Sequence, residues 1–207
     1  MNLTHLAKKQ LKKPSSLIKP TTGTVGMAVF DLETNGLLKD ATRIHCLSIY
    51  WEEDKRVETF NDERYSESPK DLPMANNSIT TGLGYLEVAD ILVGHNIIGF
   101  DIPIIKSIYP WFSPRGTIID TLLLSRLYHP NLLDIDKKHN WNHMPLQLYG
   151  RHSLEAYGYR LNEYKGNFGK TTDWSDWSQE MQDYCVQDVA VTTKLCNHFE
   201  KYLNGSR

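Results

Sequence analysis

The apolar positions of this chain fall into short runs, not one long stripe. Residues 25–32 (VGMAVFDL) and 44–51 (IHCLSIYW) are apolar segments rich in strand formers. A charged turn at 52–56 separates the second run from 57–60, so three neighbouring strands with tight connections are predicted. Residues 61–82 carry Asn, Asp, Ser, Pro and Gly without periodicity and read as a long surface loop. Beyond it, 83–91 has helical spacing, 91–94 (ILVG) is a short buried strand, and 102–109 is a helix that Pro103 opens in its first turn. Residues 117–120 (TIID) form the last predicted strand. Helices are then predicted at 121–128, 153–157 and 179–202, the last broken or bent near 186–188, with 130–150 irregular. Three strands in series followed by alternating strand and helix imply an α/β fold, a mixed sheet with helices on its faces.

Length and charge sharpen this picture. A chain of 207 residues, 40% of them hydrophobic, supports one core, and two full domains would be cramped. The formal charge of −2 hides an asymmetry: residues 1–25 contain Lys8, Lys9, Lys12, Lys13 and Lys19 and no acid, which leaves the rest at −7. The expected division is a basic N-terminal arm over 1–25 and a single domain over 26–207. In the arm, Leu3, Leu6 and Leu11 would line one side of a short helix stopped by Pro14. The three cysteines, Cys46, Cys185 and Cys196, have no CxxC spacing, so neither a disulfide framework nor a zinc knuckle is supported. No run of about eighteen apolar residues occurs, and the arm lacks the apolar segment of a secretory signal. A cytoplasmic protein without membrane contact is the expectation.

An acidic body needs a reason for its acids. Asp31 and Glu33 end the first strand two residues apart and so project from one face of the sheet. With 14 Asp and 11 Glu in the chain, a D-x-E arises by chance about once, so context has to decide its meaning. Two carboxylates about 4 Å apart repel by about 4 kcal/mol at an effective dielectric near 20, a cost that cations would relieve. Asp101 follows strand 91–94 in the segment GHNIIGFDIP, together with Asn96 and Phe100. Taken alone it reads equally well as a cap for the helix opened by Pro103. Tyr184 and Asp188 stand four apart, on one helix face one turn from each other, where packing and surface are the ordinary roles.

Together the three segments resemble the Exo I, Exo II and Exo III motifs of the DEDD 3′ to 5′ exonuclease superfamily, in the right order. Asp31-Leu-Glu33 matches the first, Asn96 through Phe100-Asp101 the second, and Tyr184 through Asp188 the third. The histidine subgroup carries His five positions before the last Asp, where this chain has Asp183; Tyr184, four before it, fits the tyrosine subgroup. The stretches AVFDLETNGLL, IDTLLLSRLYHPNLLDID, RHSLEAYGYRLNEYKG and QEMQDYCVQDVAVTTKL are similar to the exonuclease domain of bacteriophage family A DNA polymerases over about residues 27–200.

The resemblance implies a ribonuclease H-like fold and a metal-dependent 3′ to 5′ DNA exonuclease releasing mononucleotides. The chain ends just after the third motif, so a freestanding exonuclease is expected, working as a proofreading component beside a separate polymerase. Four carboxylates without His or Cys suit two Mg²⁺ or Mn²⁺ ions. By resemblance, Asp31, Glu33 and Asp188 hold the ion beside the attacking water, and Asp31 with Asp101 the ion beside the leaving oxygen. Tyr184 is assigned to orienting the water, because an unperturbed tyrosine is only about one part in a thousand ionised at pH 7. Leu37 and Leu38 would wedge against the terminal base, with Asn96 and Phe100 along the strand path, although ordinary core is the competing role for such apolar residues. The implied substrate is DNA with a free 3′ end, single-stranded or frayed, its phosphates also met by the lysine arm. Two alternatives stay open: a ribonuclease D-like exoribonuclease and a non-catalytic nucleic-acid or polymerase-binding subunit. Asp120 reads as a helix cap; His95, His139, His143 and His152 as structural or surface; and Trp141, Trp174 and Trp177 as buried or base-stacking.

Overall fold

The computed structural model describes residues 26–62, 78–139, 141, 143–163 and 173–205; the basic arm lies outside them. Its frame is one sheet in the order β3-β2-β1-β4-β5. Strands β1 (Met27–Thr34), β2 (Ile44–Trp51) and β3 (Arg56–Asn61) pair antiparallel. Strands β4 (Ile91–Gly94) and β5 (Thr117–Asp120) run parallel to β1, giving the expected mixed α/β sheet. Strand β1 extends further than its apolar run: Glu33 still pairs with Cys46 and Thr34 with Ile44, across a register shift. The two carboxylates therefore belong to the ladder itself.

Period-two alternation sorts β1 between two layers. Ala28, Phe30 and Leu32 face a core shared with helices α1 (Ile79–Val88) and α2 (Asp101–Ile108). Val29 faces the other way, into a cluster with Val93 and with Val189 and Cys196 of the long helix α6 (Gln179–Leu203). Asp31 and Glu33 follow Val29 at two-residue steps and so share the α6 side. A third apolar cluster gathers Leu132, Leu154, Tyr157, Val191, Leu195 and Phe199, where α3 (Thr121–Tyr128), α4 (Leu132–Lys138) and α5 (Leu154–Arg160) meet α6.

Three sequence expectations need correction. The loop placed at 61–82 becomes helix at its end: Ser78 Oγ accepts from the Thr81 N–H, Asp62 accepts from the Ile79 N–H, and α1 starts at Ile79. Its glycines suggest a loop, but a Cβ on Gly82 would meet Leu47 and Phe60 at 2.7 and 2.8 Å, so Gly82 lets the helix lie close on the sheet. The span 130–150 holds α4 and a 3₁₀ turn at Leu146–Leu148. The break expected near 186–188 is absent, since Cys185, Val189, Thr192 and Cys196 bury one continuous face of α6.

Beside the third cluster sits a buried ion pair. Asp136 is fully buried and accepts from Arg160 Nη2 (2.7 Å) and Nε (3.0 Å), Trp141 Nε1 (3.0 Å) and the Gly150 N–H (2.7 Å). Burial works against its charge, but the Arg160 and Gly150 bonds outweigh it and hold the carboxyl below the ordinary value. Arg160 also donates to the Arg151 carbonyl at 2.8 Å, so this pair fixes the path of the chain around 150 and 151.

Three histidines in this half are harder to protonate than in the unfolded chain. His129 and His198 face each other with their Nε2 atoms 2.8 Å apart, and His152 Nδ1 lies 2.6 Å from Ser125 Oγ. Burial lowers all three pKa values, helped by Lys201 near His129 and His198 and by Arg160 and Arg126 near His152. The unfolded chain therefore binds more protons than the fold once the pH drops towards the ordinary histidine value, and stability falls with pH through about 6.5 and below. Urea denaturation at stepped pH is expected to show this decline, and the His129→Gln/His198→Gln variant is expected to flatten it.

Candidate active site

Four carboxylates arrive at one cavity from three elements. Asp31 and Glu33 come from the α6 face of β1, Asp188 from the underside of α6, and Asp101 from the first position of α2. Ligand oxygens of Asp31, Glu33 and Asp188 all lie within 4.8 Å of one another. The cavity they line with Asp101 measures about 210 Å³, and Leu32, His95, Asn96, Phe100, Trp174 and Tyr184 complete its wall.

Helix α6 is held over β1 by polar ties as well as apolar ones. The Cys185 thiol donates to the Asp31 carbonyl at 3.3 Å, one residue after Tyr184. Gln182 Nε2 donates to Ser48 Oγ at 3.1 Å and its Oε1 accepts from Asn61, which links α6 to β2 and β3. Burial, then the neighbouring Cys46, pushes the Cys185 thiol well above its ordinary pKa, so this sulfur is a packing group and not a nucleophile. One turn of helix separates Tyr184 from Asp188, and both line the cavity. Asp183 points elsewhere: it is exposed and accepts from Gln179.

The loop from β4 to α2 is built around Asp120. This carboxylate caps α3 by accepting from the Leu122 N–H, as expected, and also accepts from the Asn96 N–H at 3.0 Å and the Ile98 N–H at 3.1 Å. Asn96 sits at φ 67°, a left-handed conformation that asparagine tolerates better than most residues. The turn delivers Phe100 to the cavity wall and Asp101 to its floor. Asp101 is not the helix cap: Phe100 occupies that position, and the Asp101 carboxylate is buried, accepting from the Leu32 N–H. Burial, then the charges of Asp120 and Asp188, pushes its pKa up to about 7 against the backbone bonds that favour its ionised form.

Of the residues predicted to meet substrate, Asn96 and Phe100 line the cavity. Leu37 and Leu38 do not; they stand on the turn after β1, 74% and 42% exposed. Among the tryptophans only Trp174 lines it, in an edge-to-face contact with Tyr184 at 6.5 Å. Trp177 packs on Met181 and Cys185, and Trp141 serves Asp136. His95, read from the sequence as structural or surface, also lines the cavity. Its Nδ1 lies 2.9 Å from Thr121 Oγ1, which itself donates to the Gly94 carbonyl. The available signal was its place directly after a buried strand, where the β4–α2 turn opens.

Oxygen donors alone form this cluster, which suits a hard divalent cation. The charge repulsion among closely set carboxylates is of the kind a cation removes.

Comparison with known proteins places this geometry. The profile of the RNase H superfamily matches residues 28–200. The DNA-directed DNA polymerases of Escherichia phage T7 and Enterobacteria phage T3 are each 32% identical to this chain over 191 residues, 82% of this chain and 26% of each polymerase. The chain thus spans about a quarter of the length of these relatives. Among solved structures, Brucella melitensis NrnC superposes with a TM-score of 0.57 at 18% identity, covering 89% of this chain and 77% of NrnC. A structure of the same protein with bound Mg²⁺ gives 0.55. The profile match runs from β1 to the last turns of α6 and takes in every strand and all four carboxylates, so the chain belongs to the RNase H superfamily.

Proposed function

We propose that this chain is a divalent-cation-dependent exonuclease that removes mononucleotides from the 3′ end of DNA. The observation that carries the reading is the convergence of Asp31, Glu33, Asp101 and Asp188 on one small cavity that also holds Tyr184. Identity to two phage DNA polymerases across most of the chain favours DNA over RNA and a setting in DNA replication, beside a polymerase. Asp31, Glu33 and Asp188 would hold one cation, and Asp31 with Asp101 a second. Such ions, when bound, neutralise phosphoryl charge, lower the pKa of water and steady the leaving oxygen.

The chain's own residues supply position. Phe100 and Trp174 line the cavity as aromatic side chains of the kind on which a terminal base stacks without regard to sequence, so the 3′ nucleotide would be read by shape. Tyr184 directs the attacking water towards phosphorus. As the water oxygen bonds to phosphorus, the bond to the 3′ oxygen of the preceding nucleotide breaks. That oxygen takes up a proton, which leaves a mononucleotide and a strand shorter by one.

The test is incubation with 3′-labelled single-stranded DNA, duplex DNA and RNA, with Mg²⁺, Mn²⁺ or chelator. Labelled mononucleotide released from single-stranded DNA only when cation is present is the expected result. Preference for RNA supports the ribonuclease alternative, and no hydrolysis of any strand supports the non-catalytic one. Within this reading, Tyr184→Phe is expected to lower kcat by about ten- to a hundredfold with little change in KM, because orientation is lost and binding is not. A loss as complete as that of Asp31→Ala at saturating Mg²⁺ would make Tyr184 an obligatory proton carrier.

A further inference from the structure

His45 is a buried titratable side chain that the proposed chemistry does not use. It stands on β2, and its Nε2 lies 3.0 Å from the Trp174 carbonyl, 129 residues further along the chain. A carbonyl only accepts, so the His45 Nε2–H donates, and in the neutral ring Nδ1 carries a lone pair. That Nδ1 is buried and has no hydrogen-bond partner among the described residues. An apolar side chain would fill this place without leaving a polar atom unmet, so the bond to Trp174 is what the imidazole contributes.

Backbone geometry brings His45 to that position. Cys46 pairs with Glu33 and Ile44 with Thr34, so the register shift leaves His45 opposite no residue of β1. An extra residue of this kind bends its strand and re-aims a side chain. Here it lies directly beside Glu33, and both His45 and its neighbour Cys46 meet the Trp174 segment, because Trp174 packs on the apolar cluster of Cys46, Met181 and Cys185. In a regular strand, adjacent side chains point to opposite faces and share no such target. Trp174 in turn lines the acidic cavity and makes its edge contact with the Tyr184 ring. Residues 173–178 form neither strand nor helix, so the tie from β2 restrains the backbone that carries this indole.

Resting on the exonuclease reading above, we infer that His45 is a positioning residue, which holds Trp174 on the cavity wall where it stacks on the 3′-terminal base. His45 is not part of that wall and acts through the Trp174 backbone. Loss of its bond therefore weakens the part of substrate binding that depends on the base and spares the part that depends on sugar and phosphate.

Steady-state kinetics with two single-stranded DNA substrates tests this, one ending in an ordinary 3′ nucleotide and one in an abasic tetrahydrofuran nucleotide. For the wild type, KM is expected to be about tenfold or more higher for the abasic end, the worth of one base–aromatic stack. In His45→Leu this ratio is expected to fall to about threefold or less, as in Trp174→Ala, and the double variant to fall no further, because both changes remove the same stack. His45→Gln, whose amide offers a donor near the place of Nε2, keeps most of the ratio. General damage to the fold raises KM for both substrates alike and leaves the ratio intact. An undiminished ratio in His45→Leu, or equal KM values for the two ends in the wild type, overturns the proposal while the exonuclease reading stands. If His45→Leu does not fold, the same comparison on His45→Asn, whose amide is too short to reach the carbonyl, decides. Fluorescence of an oligonucleotide with a 3′-terminal 2-aminopurine, in Ca²⁺, reads the stack apart from hydrolysis. If the wild type hydrolyses nothing but quenches this probe and His45→Leu does not, the exonuclease reading fails and the role of His45 stands. Equal quenching by both proteins, or none by either, rejects that role.

Discussion

Asp31→Ala is expected to reduce mononucleotide release by at least about a thousandfold, equivalent to about 4 kcal/mol of transition-state stabilisation, while leaving the fold intact. The size follows from its position. Asp31 has a ligand oxygen within 4.8 Å of those of Glu33 and Asp188 and lines the same cavity as Asp101, and it is assigned to both proposed cation positions, so its loss would impair both at once. The fold is spared because the tie from Cys185 reaches the Asp31 carbonyl and not its side chain. Removing one of several crowded carboxylates also relieves repulsion, so the variant should resist denaturant as well as the wild type or better. Asp183→Ala is the control: its carboxylate is exposed and engaged with Gln179, and the rate should stay within about twofold, inside the range of an ordinary surface substitution. Comparable losses in the two variants would place the chemistry on the other face of α6.

The second large effect concerns stability. Arg160→Met is expected to cost about 3–5 kcal/mol in urea denaturation, since it leaves the fully buried Asp136 without its cationic partner. The methionine fills much of the volume but answers neither the carboxylate nor the Leu148 and Arg151 carbonyls that Arg160 also serves. Acid should narrow the gap. The pair holds the Asp136 pKa below its ordinary value, so its stabilising contribution is present above about pH 4 and fades as the pH falls through the folded value. A cost below about 1 kcal/mol at pH 7 would mean that Trp141 and Gly150 alone satisfy the carboxylate.

Much of this molecule was legible before any coordinates. Strands 44–51, 91–94 and 117–120 and helix 121–128 coincide with their apolar runs, because short buried strands and a capped helix leave strong local patterns. The acids were singled out for a different reason: Asp31, Glu33, Asp101 and Asp188 each have an ordinary local reading, and only the resemblance of their three segments, in order, to known motifs joined them, which the structure then brings to one cavity. What was hidden depended on tertiary contact. Gly82 looks like a loop residue until β2 and β3 press against it, and Asp136 looks like a surface acid until Arg160 closes over it from 24 residues away. His95 follows a buried strand, but its place on the cavity wall depends on the turn that Asp120 holds. Leu37 and Leu38, given to the terminal base by resemblance, are exposed on the turn after β1, outside the cavity lining.

Titration of the metal-free protein with Mn²⁺, followed by electron paramagnetic resonance, tests the central claim most directly. Two ions bound per wild-type chain, and weaker binding or fewer ions for Asp31→Ala, is the predicted result. Identical Mn²⁺ isotherms for the two proteins would contradict it, leaving the carboxylates with no cation to hold.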